Sequence, residues 1–404
     1  MIIRDSYLDK LSALKDINVI KIITGVRRCG KSTLLMQFRD RLKKEGVKSK
    51  NIISYNLEDK ANERFTQDKN LLHDMILKRL DPRSRNYVFI DEVQLVPDFE
   101  KTLDSLFIRD NIDLYVTGSN ANMTSSQLST LLSGRYVEIE MLPLSFSEFM
   151  KFPVDAQPDR LSAFQKYLQY GGFPEVANLL AAKSEAEIPL YLRSIYETVL
   201  EKDIKTRRNI RFMDDFSNVV SFMFNNIGSI TSPNNIANVL RQENKVIDKA
   251  TVDGFLSALA DCFILYPVRR FDIRGKSLLR TREKYYAVDI GLVNSLLGLP
   301  STADVGHRLE NLVYLELRKR YDGQVWVGKN YDKEIDFVVK NRSGLTEYFQ
   351  IAETVSSAKT LTRELSALDT RDEYRKTLLT MDLISSNEKG IIQKNIIDWL
   401  LEEN

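Results

Sequence analysis

Gly25-Val26-Arg27-Arg28-Cys29-Gly30-Lys31-Ser32 is the stretch on which the fold turns, and it fits G-x-x-x-x-G-K-[ST] at every fixed position. The β-branched run Val19-Ile20-Lys21-Ile22-Ile23-Thr24 precedes it, and a helical pattern from Lys31 to about Glu45 follows. Strand, glycine turn and helix N-terminus thus come in the order a phosphate cradle needs. Gly25 and Gly30 let the backbone wrap phosphate oxygens with its N–H groups, and Arg28 and Cys29 lie inside that wrap. Lys31 reaches the β- and γ-phosphates, Ser32 ligates magnesium, and Thr33 completes the nucleotide-binding set. ATP and Mg2+ are the expected ligands. Cys29 is read as a small loop residue rather than a redox centre.

Working outward, residues 52–57, Tyr87-Val88-Phe89-Ile90, Leu114-Tyr115-Val116-Thr117 and Tyr136-Val137-Glu138-Ile139 are further strand-like runs, with a helical pattern over 69–80. Strands alternating with helices over 1–145 predict a doubly wound parallel α/β domain. The third run ends in Asp91-Glu92, about sixty residues after the phosphate loop. Asp91 at the strand tip suits the magnesium shell, and Glu92 suits activation of the attacking water. The fourth run leads into Gly118-Ser119-Asn120, where Asn120 or Ser119 is placed to orient that water, or simply forms a polar turn.

Composition excludes several classes. The 404 residues carry 28% charged and 43% hydrophobic side chains with a formal net charge of +2, which rules out wholesale disorder and a histone-like basic coat. Cys29 and Cys262 with His73 and His307 are too few for a zinc centre or a disulfide framework. The N-terminus shows no signal-peptide pattern and no run of 18 apolar residues occurs, so a cytoplasmic protein without membrane spans is expected.

The order of phosphate loop, Asp-Glu strand, polar strand end and Leu131-Leu132-Ser133-Gly134-Arg135-Tyr136 resembles the AAA-plus ATPases. Thr117-Gly118-Ser119-Asn120, Leu142-Pro143-Leu144-Ser145-Phe146, Tyr170-Gly171-Gly172-Phe173-Pro174 and Ile335-Asp336-Phe337 together resemble a prokaryotic branch. In that branch a AAA-plus domain is fused to a C-terminal nuclease-like domain. The resemblance covers essentially the whole chain. It implies an ATP hydrolase working as a homo-oligomeric ring, a hexamer, in which Arg135 reaches the neighbouring subunit's site. It also implies a helical lid in which Pro174 packs on the adenine ring, or in which Gly171–Pro174 is only a helix corner.

Four domains are expected: the AAA-plus core at 1–145, the lid at 146–212, a winged helix at 213–283 and a nuclease-like α/β domain at 284–404. Short helical patterns over 214–259, with Ser232-Pro233 opening one of them, and the strand Phe263-Ile264-Leu265-Tyr266 suggest the winged helix. Such modules bind DNA or dock proteins. The stretch 269–284 holds seven basic residues against Asp272 and Glu283, and Arg269, Arg270, Arg274, Lys276 and Arg280 are its candidate DNA contacts. A second cluster, Lys205, Arg207, Arg208 and Arg211, ends the lid region. Strands are expected at 284–288, 324–328, 334–340 and 346–352, a helix at 306–320 and a closing helix at 390–402. Glu310 on the helix, Asp336 on a strand and Gln350-Ile351-Ala352 on the next follow the layout of PD-(D/E)xK nucleases. Gln350 replaces an acid and Ala352 the lysine, so loss of cleavage is expected. DNA, branched or four-way DNA included, is the leading substrate. A nucleotide-gated signalling or defence switch, a protein-remodelling ATPase and a nuclease with a rearranged site are the alternatives.

Overall fold

The five apolar runs become five strands: β1 (Ile20–Thr24), β2 (Ile52–Asn56), β3 (Asn86–Asp91), β4 (Ile112–Thr117) and β5 (Tyr136–Glu140). The computed structural model describes residues 2–119, 132, 134–152, 159–205, 213–243, 245, 247–279, 283–300, 304–341, 343–370, 372–383 and 386–402. The strands form one sheet in the order β2-β3-β4-β1-β5, with every pairing parallel. β1, β3 and β4 are buried along their whole length, as central parallel strands covered on both faces must be. Helices α1 (Asp5–Ala13), α2 (Lys31–Lys44), α3 (Lys69–Arg79) and α4 (Phe99–Phe107) accompany the sheet. Phe38 of α2 packs its ring 5.1 Å from that of Tyr115, which stacks on Phe89 at 4.9 Å.

These elements belong to the first of two compact units, Met1–Pro143 with Asp261–Phe263. At the amino ends of its strands a polar network is sealed inside. Lys21 and Asp113 form an ion pair with both side chains at 0% exposure. Asp113 also accepts from the Tyr115 hydroxyl and the Asp16 N–H, each at 2.9 Å. Burial pushes the Lys21 ammonium below its ordinary pKa, against the pull of Asp113.

The second unit is Leu144–Ala260 with Ile264–Asn404. Its longer helices, in chain order, are α5 (Arg160–Tyr170), α6 (Pro174–Ala181), α7 (Ile188–Val199), α8 (Met213–Asn225), α9 (Pro233–Gln242), α10 (Lys249–Asp261), α11 (Ile290–Leu297), α12 (Val305–Arg320), α13 (Ala358–Ala367) and α14 (Ile396–Leu401). Its strands are β6 (Leu265–Val268), β7 (Arg270–Asp272), β8 (Ser277–Leu278), β9 (Lys284–Ala287), β10 (Val325–Asn330), β11 (Lys333–Lys340), β12 (Thr346–Ile351), β13 (Arg375–Thr380), β14 (Asn387–Glu388) and β15 (Ile391–Asn395). β6 and β9 pair alone, and the others form a sheet in the order β14-β15-β13-β12-β11-β10-β7-β8.

The boundaries expected near 212 and 284 both fall inside this unit. β7, within the stretch read as the winged helix, pairs in parallel with β10 of the large sheet. Residues 171–172 are bound to the start of α11. Gly171 has φ +78°, and a Cβ there would stand 2.1 Å from Asp289 Oδ1. The Asp289 carboxylate accepts the Gly172 N–H at 2.7 Å and the Leu292 N–H at 2.9 Å. Its burial outweighs those donors and pushes its pKa up to about 6.

The helix expected over 390–402 is a correction. β15 occupies 391–395 with its side chains alternately buried, and it pairs with β13, a strand absent from the sequence reading. The helix begins only at Ile396, where Asn395 caps it by accepting from the N–H groups of Ile397 and Asp398.

Candidate active site

The carboxyl ends of parallel strands are where such sheets bind ligands, and the loop from β1 to α2 lies there. Gly25 is demanded by contact as well as conformation: φ is +139°, and a Cβ would come within 2.2 Å of the Met141 carbonyl oxygen. Arg28 takes φ +67° and Gly30 φ +107°, which curls the loop before α2 begins. The first turn of α2 contains no acid, so its free N–H groups and dipole are left to an anion. Lys31 is buried and donates to the carbonyls of Gly25 at 2.9 Å and Val26 at 3.1 Å. Ser32 and Thr33 follow in the same turn. The Cys29 side chain is fully buried, and burial raises its thiol pKa.

β3 brings the acids to the loop. Asp91 Oδ1 accepts from the Thr117 hydroxyl at 2.5 Å, and the same Thr117 oxygen accepts the Glu92 N–H at 2.9 Å. Burial raises the Asp91 carboxyl pKa, opposed by hydrogen bonds from Thr117 and Ser32. Asp91 and the Ser32 hydroxyl therefore converge as two oxygen donors at one spot. A buried carboxylate short of countercharge beside a hydroxyl suits a hard divalent cation that keeps several waters. Glu92 sits at φ 57°, ψ 48°, a left-handed conformation that costs a non-glycine residue about 1–2 kcal/mol. Its Oε1 lies 3.9 Å from Lys31 Nζ.

A family model described as the AAA domain matches residues 18–150, and one described as a domain of unknown function, DUF8612, matches residues 161–303. A Haemophilus influenzae protein described as uncharacterized is 37% identical over all of this chain and 99% of its own length. The chain belongs to one family with that full-length relative, and its residues 18–150 are an AAA domain. A Methanocaldococcus jannaschii protein, also described as uncharacterized, is 26% identical over 94% of this chain and 85% of its own. Among solved structures, a Walker-type ATPase of Pyrococcus abyssi covers 73% of this chain and 96% of its own at 14% identity, with a TM-score of 0.50, a likeness of fold alone. The DUF8612 match runs across the boundaries expected at 212 and 284.

Within the AAA domain, Arg135 stands apart from its own phosphate loop. Its carbonyl accepts the Ile20 N–H at 2.8 Å, at the opposite end of β1, which at ~3.3 Å per residue is too far for service in cis. Its guanidinium pairs with Asp104 and lies 5.7 Å from the centre of the Phe107 ring. Asn120 lies outside the described residues. Three residues to which the sequence assigned no role bear on the site. Arg4 is buried and donates to the carbonyls of Leu142 at 3.1 Å and Cys29 at 3.5 Å, pinning the loop from behind. Arg27 pairs with Glu58 at 2.9 Å. Gln94 donates to Glu92, and its place two residues after that acid was the only sequence signal.

In the second unit, Pro174 is the first residue of α6. The basic stretch is only partly a surface. Arg269, Arg274 and Lys276 are exposed, and Arg270 is half-buried in β7. Arg269 is 3.9 Å from Glu283, and the Arg274 guanidinium covers the Tyr331 ring. Arg280, Arg207, Arg208 and Arg211 lie outside the described residues. Lys284, counted in the strip, is a correction, being 4% exposed. Its ammonium meets Glu310 at 2.9 Å and Glu334 at 2.6 Å. Burial opposes its charge, but Glu310, Asp336 and Glu334 outweigh burial and raise its pKa. The expected acids do come together there. Burial, then the neighbouring Glu310, drives the Asp336 carboxyl well above its usual range. Asp336 accepts the Ile351 N–H at 2.8 Å, and Gln350 donates to Glu364 at 2.9 Å. A lysine thus stands beside these acids although Ala352 holds the position where the sequence pattern wants one.

Proposed function

We propose that this chain is a magnesium-dependent ATPase that acts on DNA as a homo-oligomeric ring. The observation that carries the ATPase is the continuous set Lys31, Ser32, Asp91, Glu92 and Thr117 at the strand ends. Ser32 and Asp91 hold the cation, which neutralises phosphate charge when bound. The α2 N-terminus and Lys31 hold the β- and γ-phosphates. Glu92 takes the proton of the attacking water, and little covalent chemistry is asked of the protein beyond this positioning.

Arg135, at the end of β1 opposite its own loop, serves a neighbouring subunit. Arg135→Ala should bind ATP normally but hydrolyse it ~10³–10⁵-fold more slowly. Mixing it with Lys31→Ala subunits should restore part of the rate, since each supplies what the other lacks. Mixtures that stay inactive at every ratio count against a shared site.

DNA is supported by Arg269, Arg274 and Lys276, which are exposed among the described residues of the basic stretch, and by the order of α12, the β10-β11-β12 meander, α13 and β13, which suits a nuclease-like fold. Lys284 supplies countercharge to Glu310 and Glu334, and DNA incubated with magnesium or manganese should remain uncut. The deciding experiment is the ATPase rate with duplex, single-stranded and four-way DNA, repeated on a protein with Arg269, Arg274 and Lys276 reversed to Glu. Charge reversal should leave basal ATPase intact and abolish DNA stimulation. The slope of log affinity against log salt should shrink by about 0.9 per lost phosphate contact. Unaltered DNA binding in the reversed protein, with no DNA effect on ATPase, favours a nucleotide-gated protein switch instead.

A further inference from the structure

Glu92 is held at several points, and one of them belongs to a residue with no role so far. Gln94 lies in the short 3-10 turn Val93–Leu95, closed by the Leu95 N–H donating to the Glu92 carbonyl at 3.1 Å. The turn returns the Gln94 side chain over the acid. Its Nε2 donates to Glu92 Oε2 and lies 3.4 Å from Ser119 Oγ at the end of β4. A carboxylate only accepts, so the amide nitrogen must be the atom that faces it. Gln94 Oε1 is then a buried acceptor with no donor among the described residues.

The Glu92 backbone is fixed in its left-handed conformation by the bond to Thr117. Its carboxylate sits on a flexible stem, however, and ordering such a side chain costs up to about 2 kcal/mol. With Oε2 tied to Gln94, Oε1 is the oxygen left beside Lys31, at 3.9 Å. We propose that Gln94 is the positioning residue of the hydrolytic base: anchored on Ser119, it fixes one Glu92 oxygen so that the other is presented to the attacking water. This rests on Glu92 being the base. The reaction is unchanged by it. The water oxygen bonds to the γ-phosphorus, the bond from that phosphorus to the bridging oxygen breaks with its electron pair leaving on ADP, and the water proton passes to Glu92 Oε1. Positioning groups of this kind raise turnover rather than affinity.

The test is steady-state and single-turnover ATPase of the full chain, with affinity for a fluorescent ATP analogue measured alongside. Gln94→Ala and the near-isosteric Gln94→Met, which fills the space but lacks the donor, should each lower kcat roughly 10- to 100-fold. Analogue affinity should hold within about twofold, the signature of an interaction lost only in the transition state. In a Glu92→Gln background, Gln94→Ala should cost nothing further, because a residue that acts through another has no effect once that other is gone. Parental kcat in Gln94→Met, or the same fold-loss repeated in the Glu92→Gln background, overturns the proposal. If Glu92→Gln itself turns over at the parental rate, it is the base assignment that has failed.

Discussion

Glu92→Gln should bind ATP as the parent does and lose hydrolysis by ~10²–10⁴-fold, the usual worth of a positioned general base. The substitution keeps the shape of the side chain and the backbone bond to Thr117 at 2.9 Å. The phosphate loop, Lys31 and the Ser32–Asp91 pair are untouched, so affinity has no reason to change. Lys31→Ala should behave differently, losing both tight binding and hydrolysis, because it removes the buried ammonium that closes the loop on the Gly25 and Val26 carbonyls. Nucleotide affinity and phosphate release measured on both variants separate the two roles. Parental turnover in Glu92→Gln rules out Glu92 as the base.

Asp113→Ala should cost the first unit about 3–5 kcal/mol, because it strands the Lys21 ammonium at 0% exposure. The Tyr115 hydroxyl and the Asp16 N–H lose their acceptor at the same time. Replacing both partners, Lys21→Met with Asp113→Leu, should recover much of the loss, since no charge is then left without its counterpart. Urea unfolding of the single and double variants checks this. Equal destabilisation by the single and double replacements contradicts it. The network lies at the amino ends of the strands, so ATP affinity of the folded protein should not follow these changes.

The phosphate loop and Asp91-Glu92 were legible because their chemistry is local. Glycines that must curl a chain, a lysine at a helix start and acids at a strand tip stand at fixed spacings whatever surrounds them. β1 to β5 were legible for a related reason: strands covered on both faces must be apolar along their length, and that shows as short uninterrupted runs. Gln94 was invisible because nothing in its neighbours says that a 3-10 turn folds its amide back onto Glu92. Arg4 could not be found either, since the carbonyl of Leu142 that it binds is 138 residues away.

Beyond residue 143 the expected strands at 284–288, 324–328, 334–340 and 346–352 and the helix at 306–320 form, but local pattern misleads at particular charges and at the last strand. The strip 269–284 is a charge run in sequence, but a cation's fate depends on what faces it. Lys284 points into Glu310 and Glu334, whereas Arg274 lies on Tyr331. Residues 391–395 have helix-compatible composition and become a strand because β13 offers a row of unpaired backbone groups, and pairing across a sheet overrides weak local preference. Local spacing therefore placed the phosphate loop and the paired acids, in which each group needs only its near neighbours in the chain. Long-range burial decided which charges are neutralised, which carboxyls are pushed up in pKa and which oxygen of Glu92 is left beside Lys31, because desolvation and countercharge are set by residues far apart in sequence.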